Sequence, residues 1–245
     1  SIATSGTVFC WGKGALLGAG STTESNVAVA VPADGLFTNT AVTAVTVGDE
    51  HACAIEGGKL WCWGGGSGGS FGVIGNGTNG YTRFGPTLVS ANAGFDNDGA
   101  AGDEVTAVST SFANACAIEG GEVFCWGNNN NNQLGLGANF QGATNVPNRV
   151  VDTATPEFRA ATATSISVGF SYGCATASTS VYCWGSNYSG GLGNTTTNGV
   201  TVKVAQGDFT TGNANIYLRA DGGSFEVQLD RVTSSASQAN QTTVK

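Results

Sequence analysis

The motif CAIEGGKLWCWG, which spans Cys53 to Gly64, is the most informative part of this chain. It returns as CAIEGGEVFCWG from Cys116 to Gly127 and as CATASTSVYCWG from Cys174 to Gly185. A degenerate copy, SIATSGTVFCWG, begins at Ser1. The two central glycines of the first copy are typical of a two-residue turn between antiparallel strands, so the motif predicts a β-hairpin.

The hairpin brings its two cysteines together. Counting outward from a turn at Gly57–Gly58 pairs Cys53 with Cys62. The pair falls at a position without ladder hydrogen bonds, where α-carbons lie about 4.5 Å apart, and this separation is within disulfide range. Because the other complete copies keep the same spacing, we expect three cross-strand disulfides: Cys53–Cys62, Cys116–Cys125 and Cys174–Cys183.

Cys10 is the seventh cysteine, and it lacks a partner in its own repeat. Counting back nine positions from Cys10 reaches Ser1, where the complete copies have their first cysteine. We expect a buried free thiol, because an unpaired cysteine packs as a small apolar residue. The alternative is an intermolecular disulfide.

The composition limits the classes of partner. The chain has 245 residues, of which 40% are hydrophobic, so it is long enough to bury a core. Charged residues make up only 11% of the chain, so Ser, Thr, Asn and Gly must cover most of the surface. Nine Lys and Arg residues and a net charge of −8 argue against nucleic acid as a partner, because phosphate binding depends on basic side chains.

The cysteines also indicate a compartment. Seven cysteines at regular spacing are typical of an oxidising environment, so we expect a secreted or cell-surface protein. Neither Met nor an apolar signal segment stands at Ser1, and we expect the sequence to be that of a mature chain. The longest apolar runs, such as Val27 to Pro32, are far shorter than the ~20 residues of a spanning helix, so no membrane span is predicted.

Around the hairpins the chain is a repeat array. Four Trp-Gly pairs, which are 52, 63 and 58 residues apart, begin at Trp11, Trp63, Trp126 and Trp184. A β-branched run that predicts a short strand precedes each complete hairpin: Val42–Gly48, Val105–Thr110 and Ser165–Gly169. An apolar-Gly pair follows each Trp-Gly pair: Leu17-Gly18, Ile74-Gly75, Leu134-Gly135 and Leu192-Gly193. Strands at this spacing, with one hairpin per unit, are typical of β-propeller blades.

The segments after the Trp-Gly pairs resemble a known repeat family. WGNNNNNQLGLG, at Trp126–Gly137, resembles the W-G-x-N-x-x-G-Q-L-G-x-G signature of regulator-of-chromosome-condensation-type repeats. WGSNYSGGLG, at Trp184–Gly193, is similar to it, and Val45–Ile55 resembles the other half of the family's repeat. The resemblance covers Ser1 to about Gly193 and implies blades of about four strands, with about seven blades in a usual ring. This chain has room for only about four such units.

We therefore expect an all-β, propeller-like array of about four blades, each a short antiparallel sheet with a disulfide-bonded hairpin. The first blade is expected to be incomplete at the N-terminus, since Ser1–Gly12 is only the second half of a repeat. Residues 1–199 should hold the propeller-type repeats. Residues 200–245 form a C-terminal segment, in which Ile216–Leu229 is predicted to supply blade-completing or subunit-contact strands ahead of a polar tail.

The sequence contains no recognisable set of catalytic residues. His51 is the only histidine, and its place in a repeat strand favours a structural role over a Ser-His-Asp triad. The Cys-x8-Cys spacing differs from the closely spaced ligands of zinc sites. The acidic stretch Asp96–Gly99 with Asp103–Glu104 offers oxygen ligands for calcium, but it lacks the full ligand pattern, and a solvated loop is the favoured interpretation. We predict no catalytic residue, no cofactor and no metal site.

Four asparagines begin Asn-x-Ser/Thr sequons: Asn76, Asn187, Asn194 and Asn240. In a secreted protein such sequons are candidates for N-glycosylation. The motif is short, and it also arises by chance in a chain rich in Asn, Ser and Thr.

Two functional classes follow from these patterns. The disulfides, the low charge and the incomplete first blade predict an extracellular structural or assembly protein, whose partner is a further copy of itself in a homo-oligomer or a cell-surface filament. The alternative is a secreted propeller binding module, an adhesin or protein inhibitor that acts on another extracellular protein through its loops. The resemblance supports this alternative, since members of the family bind proteins through loops on one face and one relative inhibits β-lactamases. The family's guanine-nucleotide exchange activity is not expected in a chain with these disulfides, this acidic charge and so few blades, and an enzyme is the least supported class.

Overall fold

The computed structural model describes residues 1–20, 23–65, 71–80, 82–137, 140, 142–151, 158, 160–187 and 192, together with the backbone of strands 202–206, 216–220 and 223–227. Within these residues the chain is all-β, with sixteen strands and one short 3-10 turn at Gly14–Leu16. The predicted fold class is confirmed. No helix in the described part of the chain is long and apolar enough to cross a membrane.

Four consecutive antiparallel sheets form the blades. The first blade has two strands, β1 (Phe9–Gly12) and β2 (Ser25–Ala30). The second comprises β3 (Val42–Val47), β4 (His51–Glu56), β5 (Lys59–Gly64) and β6 (Arg83–Leu88). The third comprises β7 (Val105–Thr110), β8 (Asn114–Glu119), β9 (Glu122–Gly127) and β10 (Thr144–Arg149). The fourth comprises β11 (Ala163–Val168), β12 (Tyr172–Ala177), β13 (Ser180–Gly185) and β14 (Val202–Gln206).

The repeated motif is the hairpin between the second and third strands of each complete blade. In the second blade Glu56 pairs with Lys59 and Cys53 pairs with Cys62, which is the predicted register. The turn residues Gly57 and Gly58 have φ angles of +59° and +74°, as a two-residue hairpin turn of this type requires. All three hairpins have a disulfide with an α-carbon separation of 4.1 Å: Cys53–Cys62, Cys116–Cys125 and Cys174–Cys183.

Each hydrophobic core lies between two neighbouring blades rather than within one sheet. Along β4, Ala52 and Ala54 pack toward the first blade, whereas Cys53 and Ile55 pack toward the third. Successive side chains of a strand point to opposite faces of its sheet, so both faces of β4 are covered and all six of its residues are buried. This explains why the motif is continuously apolar instead of alternating.

The first strands of the complete blades contact one another. Thr46 Oγ1 on β3 lies 3.0 Å from Thr110 Oγ1 on β7, and Val168 N on β11 donates to Ser109 Oγ on β7 over 3.1 Å. A Cβ atom on Gly48 would lie only 2.0 Å from Ser111 O, so glycine allows the second and third blades to approach closely there. Strands β3, β7 and β11 are therefore the inner strands of the array.

The N-terminal segment departs from the register of the complete hairpins. Ser1 lies opposite Phe9, with Phe9 N donating to Ser1 O over 2.8 Å, and Ile2 pairs with Val8. Counting from the repeat would instead place Ser1 opposite Cys10. The difference arises because Ala3 N donates to Thr7 O, which leaves three residues in the turn where the complete hairpins have two.

Three strands lie in the C-terminal segment beyond residue 199. Strand β14 pairs with β13, so this segment supplies the outer strand of the fourth blade. Strands β15 (Ile216–Ala220) and β16 (Gly223–Val227) form a separate hairpin, with Ala220 opposite Gly223. Among the described strands β15 and β16 pair only with each other, so the composite blade stays a prediction, as does the boundary at residue 199.

Candidate interaction surface on the first blade

Each complete blade is attached to the blade before it by the tryptophan at the end of its third strand. Trp63 Nε1 donates a hydrogen bond to Leu16 O of the first blade over 2.9 Å. The same bond is made by Trp126 Nε1 to Val73 O over 2.9 Å and by Trp184 Nε1 to Gln133 O over 3.0 Å. All three tryptophans have an exposed fraction of 0%. The contact therefore repeats from blade to blade with one geometry.

We call the surface that receives each tryptophan a socket, and it has two parts. The first is the turn with the apolar-Gly pair, whose glycine has a positive φ angle and lies against the indole: Gly18, Gly75 and Gly135. A Cβ atom on any of these glycines would lie 2.8 to 3.0 Å from the indole, so no larger residue fits without displacement. The second part is a phenylalanine of the following connector, with ring centroids 6.0 to 6.4 Å from the indole: Phe37, Phe95 and Phe158.

Trp11 is the exception, because no socket in the described part of the chain receives it. It ends β1 as Trp63 ends β5, yet 59% of Trp11 is exposed. In the second blade β4 pairs with β5 along its whole length, and the last pair is His51 with Gly64. In the first blade Ser1 reaches only as far as Phe9, so the end of β1 extends past the N-terminal segment. Trp11 lines an open cleft together with Gly12, Lys13, Glu24, Ser25 and Asn26.

A buried asparagine provides a second contact at each of the first two blade junctions. Asn97 Oδ1 accepts a hydrogen bond from Leu60 N over 2.6 Å, and its Nδ2 donates to Val89 O over 2.9 Å. Asn39 makes the equivalent bonds to Val8 N, over 2.7 Å, and to Val31 O, over 2.5 Å. Sequence reasoning did not identify these residues, although a repeated Phe-x-Asn pattern at Phe37–Asn39 and Phe95–Asn97 was available as a signal.

A buried glutamate at the end of the second strand holds the same connector. The Glu56 carboxylate accepts bonds from Thr38 N over 2.7 Å, Thr38 Oγ1 over 2.9 Å and Thr40 N over 3.0 Å. Burial raises the pKa of Glu56, but these donors outweigh it and hold the pKa below its usual value. Glu119 accepts bonds only from Asp96 N and Asn97 N among the described contacts. Burial therefore dominates and raises the pKa of Glu119 to about 7.

Carboxylates of the predicted acidic loop accept hydrogen bonds from backbone N–H groups of the same loop. Asp96 Oδ1 accepts a bond from Asp98 N over 3.2 Å, Asp98 Oδ1 accepts one from Ala100 N over 2.6 Å, and Glu104 Oε2 accepts one from Gly102 N over 2.8 Å. Asn97 points into the blade junction and not toward these carboxylates. In the residues that the structure describes, no three His, Cys, Asp or Glu side chains are grouped as metal ligands.

The remaining candidate residues lie in different surroundings. His51 is wholly buried, and burial lowers its pKa to about 4, so its ring cannot meet a substrate at the surface. Cys10 is a buried free cysteine, and burial raises the pKa of its thiol.

The sequon residues Asn76 and Asn187 are half-buried, and their side-chain oxygens accept bonds from Thr78 and from Leu192 N, respectively. The sequons at Asn194 and Asn240 lie outside the described residues. Glycosylation at all four sequons stays a prediction.

Comparison with known proteins supports the repeat assignment. The model of the regulator of chromosome condensation (RCC1) repeat matches residues 120–175, which run from the hairpin turn of the third blade through β9, β10 and β11 into β12 of the fourth blade. No curated protein sequence matches the chain. The chain resembles the structure of human WBSCR16 with a TM-score of 0.65 and 20% identity, over 84% of this chain and 50% of that one.

Two yeast structures give the same result. Yeast RCC1 (Prp20), solved bound to Kap60, has a TM-score of 0.61 and 17% identity, over 82% of this chain and 45% of that one. Prp20p from Saccharomyces cerevisiae, described with its binding properties to Gsp1p and histones, has a TM-score of 0.62 and 16% identity, over 82% of this chain and 46% of that one. The chain thus spans about half the length of these structures. Residues 120–175 thus match the RCC1 repeat, and the described blades share the propeller fold of these structures.

Proposed function

We propose that this protein is an extracellular assembly subunit, which joins other subunits through the exposed apolar surface of its first blade. The observation that carries the proposal is the exposure of Trp11. Three equivalent tryptophans are each buried against a neighbouring blade, whereas 59% of Trp11 is exposed. A large exposed aromatic side chain, close to other exposed apolar side chains, marks a surface that another protein covers.

The rest of the first blade supports an interaction surface. Val27 on β2 and Leu36 in the connector are also exposed. Soluble monomers seldom expose several large apolar side chains on one small element, because apolar burial is the main driving force of association. The exposed apolar side chains of the first blade are thus suited to contact with a partner subunit.

The chemistry of the chain supports an extracellular location. Three disulfides are retained in an oxidising compartment and would be reduced in a cytosol. The low charge and the scarcity of basic residues favour contact with protein rather than with nucleic acid. We propose a role by binding rather than by catalysis, because His51, the one histidine of the sequence, is wholly buried and cannot act as an acid or base on a substrate at the surface.

Sedimentation of the non-reduced chain over a wide range of concentration tests the proposal. An assembly subunit should increase in mass with concentration, and electron microscopy should show either closed rings or filaments. A monomer that persists at high concentration would contradict the proposal. Reducing agent is omitted, because the three hairpins must stay intact for the blades to keep their shape.

A secreted binding module is the second candidate, and an aromatic pair favours it. Phe112 and Phe170 lie in the turns after the inner strands of the third and fourth blades, with ring centroids 5.5 Å apart. Phe170 is 61% exposed. Turns at one end of a propeller often form its binding face. A stable monomer would favour this module, whose partner would be another extracellular protein.

A further inference from the structure

We infer that the turns after the inner strands of the third and fourth blades bind an uncharged pyranose glycan, which stacks on Phe112 and Phe170 and bonds to the amide side chains beside them. The inference goes beyond the proposed function, because this surface is separate from the exposed apolar surface of the first blade. It also gives the aromatic pair a ligand of a different class from the protein partner of the second candidate.

The first step is that the two rings are accessible. Phe112 follows β7 and Phe170 follows β11 in equivalent turns, and their ring centroids lie 5.5 Å apart at an interplanar angle of 38°. Phe170 is 61% exposed. Phe112 is half-buried, although core clusters cover both sheet faces of its blade. A turn at the end of a blade thus stays accessible when other blades pack on either side of it.

The second step is that amide side chains border the rings. Asn131 Nδ2 donates to Ser171 Oγ over 3.4 Å, and Gln133 Nε2 donates to Phe170 O over 3.5 Å. Gln133 is buried, and its Oε1 accepts a bond from Asn131 N over 2.8 Å, so it positions the asparagine-rich turn against the Phe170 turn. Asn130 and Asn131 are exposed. We call Phe112, Phe170, Asn130 and Asn131 the aromatic face.

The third step is that the segments around the aromatic face are uncharged. Residues 111–113, 128–137 and 169–171 contain no Asp, Glu, Lys or Arg. The opposite end of the third blade, in contrast, has the acidic loop and an ion pair between Arg149 and Glu122. In the second blade Asp49 stands at the position of the two phenylalanines. The neutral aromatic face is therefore a feature of the third and fourth blades.

These features together favour an uncharged glycan. One face of a pyranose ring consists of C–H groups and can cover an aromatic ring, while hydroxyl groups project from its edge. An Asn side chain both donates and accepts hydrogen bonds, as a hydroxyl group does. About one residue in four of an ordinary protein is charged, and a charge that is buried against this face would find no opposite charge. An uncharged glycan does not meet this cost.

Isothermal titration calorimetry with hexasaccharides tests the inference. Cellohexaose, chitohexaose and mannohexaose carry no charge, and we expect at least one of them to bind the wild-type chain. A sulfated heparin hexasaccharide is the charged counterpart, and it should not compete with the uncharged one. If none of the three uncharged hexasaccharides binds, or if binding requires sulfate, the inference is wrong.

Substitutions of Phe170 test whether an aromatic ring binds the sugar. Phe170→Leu keeps an apolar side chain but removes the ring, so it should weaken binding by about 2- to 10-fold. Phe170→Tyr keeps the ring and should bind as the wild type does. Because Phe170 is largely exposed, both variants should stay folded, and thermal melting checks this. Equal affinities for the wild type and Phe170→Leu would show that the sugar binds elsewhere.

Asn131→Ala tests the polar part of the aromatic face. It removes an exposed amide beside the rings and should also weaken binding of the uncharged hexasaccharide. Leu36→Ser is the matched control, since Leu36 is 74% exposed but lies in the connector of the first blade. It should leave glycan binding unchanged. A loss of binding in this control as large as in Asn131→Ala would contradict the assignment to the third and fourth blades.

Sedimentation of the same variants separates this inference from the proposed function. Leu36→Ser should weaken self-association and keep glycan binding, whereas Phe170→Leu should keep self-association and weaken glycan binding. If no hexasaccharide binds and Phe170→Leu weakens self-association instead, the aromatic face contacts another protein chain and the inference is wrong. If the wild type binds an uncharged hexasaccharide as a stable monomer, the inference survives and the proposed function is wrong.

Discussion

At the scale of single residues, Glu56 and Glu119 occupy the same position in two blades, yet their pKa values shift in opposite directions. Both end the second strand of a blade and hold the connector that leads to the inner strand. Glu56 has four backbone and hydroxyl contacts from Thr38, Thr40 and Ala41. Glu119 has two backbone donors and lies near the carboxylates of Asp96 and Asp103. Burial raises both pKa values, and the number of hydrogen-bond donors, together with the nearby carboxylates, decides whether the net carboxyl pKa lies above or below its usual value.

The raised pKa of Glu119 predicts a pH-dependent stability. The pKa of Glu119 is about 7 in the folded state and lower in the unfolded state. Between these two pH values the folded state therefore holds a proton that the unfolded state has released. Stability from this group is fully present below the unfolded pKa and is lost as pH rises through about 7. Between about pH 5 and 8, the free energy of unfolding of the wild type relative to Glu119→Gln should fall by roughly 1 to 3 kcal/mol. Urea denaturation at several pH values measures this difference.

Glu56→Gln is the control for this prediction. The lowered pKa of Glu56 places its titration below the same pH window, so stability from Glu56 is lost only as pH falls through that lowered value. The difference between the wild type and Glu56→Gln should then be constant from about pH 5 to 8. A constant difference for Glu119→Gln as well would show that Glu119 is ionised throughout the window.

At the scale of the element, the disulfide-bonded hairpin is the unit that repeats. Each bond closes a loop between cysteines nine positions apart. A loop of this size is expected to stabilise the folded state by roughly 2 to 3 kcal/mol in the chain-entropy model. The bond also holds two strands that are buried on both faces, where a change of register would misplace every side chain.

Replacing Cys174 and Cys183 by alanine together should lower the free energy of unfolding by roughly 2 to 3 kcal/mol, as measured by urea denaturation. Cys10→Ala is the comparison, since Cys10 closes no loop and its loss removes only a small buried side chain.

Mass spectrometry of non-reduced peptides should recover the three bonds within their own hairpins, and thiol titration after denaturation should give one free group per chain. A bond between different hairpins would contradict this register, and a Cys10-linked dimer would favour the intermolecular alternative.

At the scale of the whole molecule, stability depends on contacts from blade to blade. Each core cluster contains residues of two neighbouring blades, and Trp63, Trp126 and Trp184 each bond to the blade before their own. In such an array a repeat contacts only its neighbours, so each junction contributes to the stability of the two blades that it joins. The fourth blade is held in this way by the socket of the third, which contains Gly135.

Gly135→Ala tests the importance of that junction. The new Cβ atom would lie 2.8 Å from the Trp184 ring, so we expect a loss of roughly 2 to 4 kcal/mol from crowding and backbone strain together. Gly57→Ala is the matched control, because Gly57 has a similar φ angle but open space around it. The control should lose only about 1 kcal/mol. Equal losses in urea denaturation would show that crowding against Trp184 contributes nothing.

Sequence alone was sufficient for the features that depend on local spacing. The hairpin register follows from a glycine turn and a two-residue alternation, so pairing Cys53 with Cys62 needed no knowledge of the rest of the chain. The repeat of Trp-Gly and apolar-Gly pairs likewise indicated blades, because each repeat is one supersecondary unit. The strands at Val105–Thr110 and Ile216–Ala220 were also identifiable from short β-branched and apolar runs.

Only the tertiary structure decided which residues join the blades. Trp11 and Trp63 both stand in a Cys-Trp-Gly sequence, but Trp63 is buried in a neighbouring socket, whereas no described socket covers Trp11, which is exposed. Asn97 appeared in the sequence as part of an acidic loop, and only the approach of Leu60 and Val89 makes it a buried junction residue. The one-residue shift at Ser1 was likewise decided by the turn length that the folded segment adopts. Contacts between distant segments depend on the relative placement of whole sheets, which no local pattern in the chain specifies.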